Sequence, residues 1–483
     1  MEAAVMVSLL PELEHFARRF DGCFVRSEQR ASFRGYVRGQ LSDLPRKSIE
    51  PMALACGLPP RNLQQFLSLH GWDDALVRDR VQQIVAREHD DADSVVILDE
   101  TYHAKKGKKT PGVQRQWCGT KGTTDNCLVT VHTAYVGGGV STLLDSELFL
   151  PESWSADRDR CRAAGIPDDL MHRTKWRIAL GMIDRVRSNG VRPGWLTFDA
   201  GYGMVTEFLI ELDNRGVRYV GEVAGHLTGW TKPPPVMLKE FATHTHIGQP
   251  RKFPRVKVLP GDMHRPKRVD SLAAHSPVFT HQPWQRFLVK NDQGGPVVWE
   301  AREGDFHLRR GDAYIAVPTW AHRLIVARSA LTGEIKHFVS NAPPSVPLGT
   351  LLRVAFTRWA VERCFQDAKG ELGLSHFEVR TYRSLMRHMI LTAVSFLFLA
   401  RALKNRRGEK STSDDLPDSS GDQRADPCAL AAFACTSRST PGARDGDHRL
   451  PPGQHRRVQS LSCPPKKEAT PALRRRSQSL CSM

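Results

Sequence analysis

Val95-Val96-Ile97-Leu98-Asp99 is a short β-branched run that closes on an acid. Such a run predicts a buried strand ending at Asp99. A carboxylate there lies at the rim of a sheet, beside buried surface, where an uncompensated charge is costly. Gly194-Trp195-Leu196-Thr197-Phe198-Asp199 repeats the design further along the chain. Gly201 and Gly203 follow the second acid, so the chain can turn tightly and leave that carboxylate approachable.

Around these two runs the pattern predicts a mixed sheet with flanking helices. Cys127–Val136 reads as a second strand, Gly137-Gly138-Gly139 as a turn and Thr142–Leu150 as a third strand. Arg173–Arg187 is amphipathic, with Ile178, Met182, Ile183 and Val186 on one stripe, and Asn189-Gly190 closes it. Val205–Leu212 predicts a helix and Val217–Val223 a fifth strand. Residues 225–345 break this rhythm with Pro233-Pro234-Pro235 and Gly294-Gly295, then turn strand-like at Tyr314–Val317. A hairpin follows, Arg323–Ala330 and Glu334–Val339 about Leu331-Thr332-Gly333. They read as a β-rich insertion dividing a catalytic domain into residues 91–224 and 346–403. Helices resume at Leu351 and run to about Leu403, with a break near Gly373. Residues 1–90 read as short helices interrupted by Gly57-Leu58-Pro59-Pro60-Arg61-Asn62, a helical module suited either to DNA binding or to plain helical packing.

A third acid stands in a helix. In Arg358-Trp359-Ala360-Val361-Glu362, continuing to Lys369, the spacing i, i+4, i+11 sets Arg358, Glu362 and Lys369 on one helical face. Three converging carboxylates would make an oxygen-rich site for Mg²⁺ or Mn²⁺. Two ions about 4 Å apart suit in-line phosphoryl displacement.

Bulk properties narrow the partner. Lys and Arg outnumber Asp and Glu by 69 to 52, a formal charge of +17, which favours a polyanion. A glycosidase also uses paired acids, but a basic surface fits DNA better than neutral sugar. The ten cysteines include no Cys-x-x-Cys pair, which argues against a zinc ribbon and a disulfide scaffold. No basic leader opens the chain, and the longest apolar run, Met389–Ala400, is too short to span a bilayer. A reduced, cytoplasmic protein with no membrane partner is expected. From Lys404 to Met483 the composition turns to Ser, Pro, Asp and Arg, with 15 basic and 9 acidic residues. That composition predicts a disordered tail and is what a frameshift would leave.

Taken together, the segments Leu98–Cys127, Thr197–Gly203 and Arg358–His388 resemble the DDE transposases of bacterial insertion sequences. The likeness is to the branch with a Tyr-x2-Arg-x3-Glu-x6-Lys signature and a β-rich insertion before the Glu. It covers roughly residues 15–403. It implies an RNase H-like fold, with Asp99, Asp199 and Glu362 as ligands of two Mg²⁺ or Mn²⁺ ions. Arg358 and Lys369 are implied as phosphate contacts. The implied reaction cuts double-stranded DNA at the element's ends and joins the freed 3′-OH to target DNA. A homodimer would pair the two ends. Ala355 stands where the signature has Tyr.

Further DNA contacts are expected from the loop Lys105, Lys106, Lys108 and Lys109, with Arg115 and Lys121 beyond it, and from Arg380, Arg383 and Arg387. Trp230, Trp299 and Trp320 are candidates for stacking on a base, though core positions are the commoner use of tryptophan. His244 and His246 are a weaker metal candidate. A nuclease without strand transfer and an inactive DNA-binding remnant are the competing readings.

Overall fold

The computed structural model describes residues 3–413, except 120, 240–254, 259–264, 293–294, 311–312 and 315–320. Trp320, His244, His246, Tyr314–Val317 beyond Tyr314, and the tail from residue 414 therefore lie outside the described residues.

Five helices come first: α1 (Ala3–Arg18), α2 (Ser27–Leu41), α3 (Ile49–Ala55), α4 (Pro60–Ser68) and α5 (Asp74–Glu88). Pro60 opens α4 at a position where no backbone N–H is needed. Asp73 caps α5 by accepting from the Ala75 amide at 2.9 Å. The helical expectation for this region is met. These helices do not stand apart from the rest, however, because their apolar faces share one core with the central sheet.

The sheet begins with β1 (Val95–Ala104), β2 (Gln114–Cys118), β3 (Thr123–Gly137) and β4 (Val140–Leu148). After α6 (Glu152–Ser155), α7 (Arg158–Ala163) and α8 (Lys175–Ser188) comes β5 (Trp195–Phe198). It is followed by α9 (Ala200–Gly203), α10 (Thr206–Asn214) and β6 (Tyr219–Val223). The order is β4-β3-β1-β5-β6. The first three strands are antiparallel, and β5 and β6 run parallel to β1. This is an RNase H-like mixed sheet with flanking helices. β1 does not end at Asp99: pairing with β3 continues to Ala104↔Cys127. Only the apolar half of β1 was legible as strand, since its second half alternates in burial beside the site.

The inserted segment holds β7 (Thr228–Trp230), β8 (Val236–Lys239), β9 (Arg255–Val258), β10 (Lys267–Arg268), α11 (Val269–His275) and α12 (Pro277–Thr280). Then come β11 (Gln285–Asp292), β12 (Gly295–Arg310), β13 (Ala313–Tyr314), β14 (His322–Ser329) and β15 (Ile335–Ser340). It is β-rich, as expected, but most of it extends the catalytic sheet. β15 pairs antiparallel with β6, from Ser340↔Val220 to His337↔Val223, and β14 and β12 follow outward. Only β8 and β9 form a separate pair among the described residues.

Three helices close the unit: α13 (Leu348–Thr357), α14 (Trp359–Gly370) and α15 (Tyr382–Ser413). Gly373 breaks the run after α14 at φ +71°, and a Cβ there would come within 2.7 Å of the Lys47 side chain. α15 continues past the composition change at Lys404. It is the one described helix long and apolar enough to cross a membrane, over Tyr382–Arg406. Yet 94% of its apolar stretch is buried in the fold, which makes it a core helix. It binds the N-terminal helices through a buried polar seam. Tyr36 Oη meets His388 Nδ1 at 2.7 Å. Gln40 donates to Thr392 Oγ1 at 2.8 Å and accepts from Ser395 at 2.9 Å.

Arg387 belongs to this seam, which corrects its expected role as a DNA contact. It is 2% exposed. Its guanidinium donates to the carbonyls of Phe66 (3.1 Å), Leu67 (3.0 Å) and Trp72, and lies 4.1 Å from the centre of the Trp72 ring. Removing it strands three acceptors. Arg387→Met is expected to cost about 3 kcal/mol of stability, read as a lower denaturant midpoint. A variant of native stability with weakened DNA binding would restore the surface role.

Candidate active site

The parallel register of β1 and β5 sets Leu98 beside Phe198. The next residue along each chain is an acid, so Asp99, within β1, and Asp199, just past β5, lie side by side. Three neighbours hold the β5 end in place. Phe198 packs over Gly221, where a Cβ would fall 2.1 Å from its ring. Gly203 lies against the Glu222 carbonyl, with room for no side chain. Asp199 caps α9, its Oδ1 accepting from the amides of Gly201 (3.0 Å) and Tyr202 (3.3 Å).

These carboxylates are poor at holding charge. Burial pushes the Asp99 carboxyl up to about 7, and Asp199 and Glu100 add repulsion, offset by the Glu100 amide and Arg358. Asp199 is raised as well, first by burial and then by Glu100, against the Tyr202 amide and Arg358.

Arg358 occupies the centre of the cluster. It sits at the junction of α13 and α14, with its side chain 14% exposed. Nη1 lies 3.4 Å from Asp99 Oδ2, Nη2 lies 3.4 Å from Glu362 Oε1, and Nε lies 3.8 Å from Glu222 Oε2. One guanidinium thus joins three acids from β1, β6 and α14. Glu362, in the first turn of α14, is 60% exposed and is joined to Asp99 through Arg358. Among the described residues no three His, Cys, Asp or Glu side chains converge closely enough to share one ion. The expected convergence of Asp99, Asp199 and Glu362 is not seen in this arrangement, where Arg358 stands between Asp99 and Glu362. Lys369, two turns along α14 from Glu362, donates to the Tyr102 carbonyl at 3.4 Å, and burial lowers its ammonium.

Six side chains that the sequence reading passed over surround these acids: Glu100, Tyr102, Lys175, Tyr202, Glu222 and Lys336. Glu100 accepts from Tyr102 Oη at 2.8 Å, from Lys175 and from Tyr202 Oη at 3.4 Å. Glu222 accepts from Lys336 Nζ at 2.9 Å. Glu100 was findable as the neighbour of Asp99. Glu222 was not, because its place depends on β6 lying beside β5.

The basic periphery divides. Lys106, Lys108, Lys109, Arg115, Arg380 and Arg383 are exposed. Lys121 is half-exposed and paired with Asp125. Lys105, in contrast, turns inward: it donates to the carbonyls of Ser375 (3.1 Å) and Phe377 (2.8 Å) and lies 3.4 Å over the Phe377 ring. It ties the loop to the chain after α14 rather than offering its charge to solvent. Ala355 is 3% exposed within α13. Trp230 and Trp299 are core residues, whereas Trp117 on β2 is 58% exposed.

The RNase H-like sheet thus carries two desolvated aspartates side by side, Asp99 within β1 and Asp199 just past β5, with a helical glutamate beyond Arg358. The chain belongs to the DDE superfamily endonuclease family, whose sequence profile matches residues 19–295. That span contains Asp99 and Asp199. The chain is also similar to a probable transposase for insertion sequence element IS701 from Microchaete diplosiphon. The two are 31% identical over 184 residues, 38% of this chain and 46% of the relative. The match spans under half of that relative's length.

The raised aspartates have a thermodynamic sign. An aspartate ordinarily titrates near 3.8, so between about 4 and 7 the folded protein holds a proton at Asp99 that the unfolded chain has lost. Folding stability therefore falls as pH rises through that window. Asp99→Asn is expected to raise the melting temperature by about 2–5 °C at pH 8, with the gain shrinking toward pH 4. A gain that is equal at both pH values, or absent at pH 8, would contradict this.

Proposed function

We propose that this protein is a transposase that cuts DNA at insertion-sequence ends and joins the freed 3′-OH to target DNA. The observation that carries the reading is the pair Asp99 and Asp199, desolvated side by side on the sheet, with Arg358 bridging Asp99 to Glu362. Hard oxygen donors that repel one another and are short of water suit a divalent cation. Asp99, Asp199 and Glu362 would hold Mg²⁺ or Mn²⁺, with Glu362 moving inward as Arg358 yields. Bound there, two ions would activate the attacking oxygen and stabilise the leaving oxygen.

The chain's own groups supply the rest. Arg358 and Lys369 bring fixed positive charge to the rim where a scissile phosphate would lie. The exposed lysines at 106, 108 and 109 would grip the DNA backbone beyond it. Strand transfer needs two ends held together, which favours a homodimer on double-stranded DNA in the bacterial cytoplasm, at the nucleoid.

Asp99→Ala, Asp199→Ala and Glu362→Ala are each expected to bring cleavage of end-containing DNA to background while leaving DNA affinity within about threefold, since DNA is held mainly by phosphate contacts. Near-native cleavage by any one variant would remove that residue from the ligand set. Pre-cut ends supplied with target DNA should give joined product; cleavage without joining would identify a nuclease, and neither reaction an inactive remnant.

Replacing Lys106, Lys108 and Lys109 together by Ala should lower the slope of log affinity against log salt by about 2–3. An unchanged slope would take this loop off the DNA path.

A further inference from the structure

Glu222 makes a contact that the three-acid reading does not use. It lies on β6, one strand beyond Asp199, and its two oxygens are divided between two cations. Oε1 accepts from Lys336 Nζ at 2.9 Å, and Oε2 faces Arg358 Nε at 3.8 Å. The other end of the same guanidinium faces Asp99 and Glu362 at 3.4 Å each. Lys336 comes from β15, the inserted strand that pairs with β6, with His337 opposite Val223 and Phe338 opposite Glu222. It is itself only 17% exposed and also lies 3.7 Å from Glu334.

We propose that Glu222 is a positioning residue for Arg358: it anchors the Nε edge of the guanidinium, so that the Nη edge can leave Asp99 when a divalent cation binds the aspartates. The proposal rests on the metal-site reading above. Arg358 is a built-in counterion for Asp99, and a cation entering the cluster competes with it. A guanidinium freed with no acceptor would be a buried unpaired charge, which is costly. Glu222 removes that cost by keeping a partner on Arg358 throughout the exchange. Lys336 sets the strength of the anchor, because it draws on the same carboxylate. The inserted strand β15 thereby tunes the site that the RNase H-like strands build.

The test is Mn²⁺ binding to the full-length protein without DNA, followed by titration calorimetry. Arg358→Gln should bind Mn²⁺ more tightly than wild type, because the competitor is gone. Glu222→Gln should bind it roughly threefold to tenfold more weakly, because Arg358 then leans on Asp99. In the Arg358→Gln background the Glu222→Gln effect should vanish, since Glu222 acts only through the arginine. A plain long-range charge effect of Glu222 would instead persist in both backgrounds and overturn the proposal. Lys336→Met provides a second variant should Glu222→Gln fold poorly. It should tighten Mn²⁺ binding in the wild-type background and have no effect with Arg358→Gln; an equal effect in both would again overturn the proposal. Wild-type protein that takes up no Mn²⁺ would remove the metal-site reading itself, and this inference with it.

Discussion

Two largely buried carboxylates set side by side are the constraint around which this molecule is arranged. Parallel pairing of β1 and β5 fixes where Asp99 and Asp199 lie, since each directly follows the last residue paired between these two strands. Burial makes their charge expensive, and mutual repulsion adds to it. The fold answers with amide donors at the start of α9, and with Arg358 set among Asp99, Glu222 and Glu362. A cluster of this kind holds its charge at a cost in stability.

The remainder of the sheet serves that pocket. Gly203 and Gly221 allow α9 and Phe198 to approach β6 more closely than any side chain would permit. This is a different use from the turn that glycine suggests after an acid: neither residue has a positive φ, and what matters is the missing Cβ. The inserted strands carry the sheet onward from β6, so Lys336 reaches the cluster from a segment that, by sequence, lies outside the catalytic domain.

Where the sequence was readable, it was readable because one local pattern was enough. Val95–Leu98 and Trp195–Phe198 are apolar on both faces, so they are recognisable as buried strands without knowledge of their neighbours. The stripe on α8 and the break at Gly373 are local too. β2 escaped because Gln114–Cys118 is a half-exposed edge strand of polar residues, with no apolar run to mark it. The extension of the sheet by β15 escaped because pairing partners far apart in sequence leave no local trace. Among the basic residues, charge alone could not separate Lys105 and Arg387, which satisfy buried carbonyls, from Lys106 and Lys108, which face solvent. The helix face expected for Arg358, Glu362 and Lys369 survives, but Arg358 turned out to be the joint between two helices rather than a position within one.

The polar seam between α2 and α15 couples residues more than 300 positions apart: Tyr36 with His388, and Gln40 with Thr392 and Ser395. During synthesis the leading helices therefore wait, with their apolar faces uncovered, until nearly the whole described chain has left the ribosome. Translation halted anywhere before α15 would yield a polypeptide with this core unfinished.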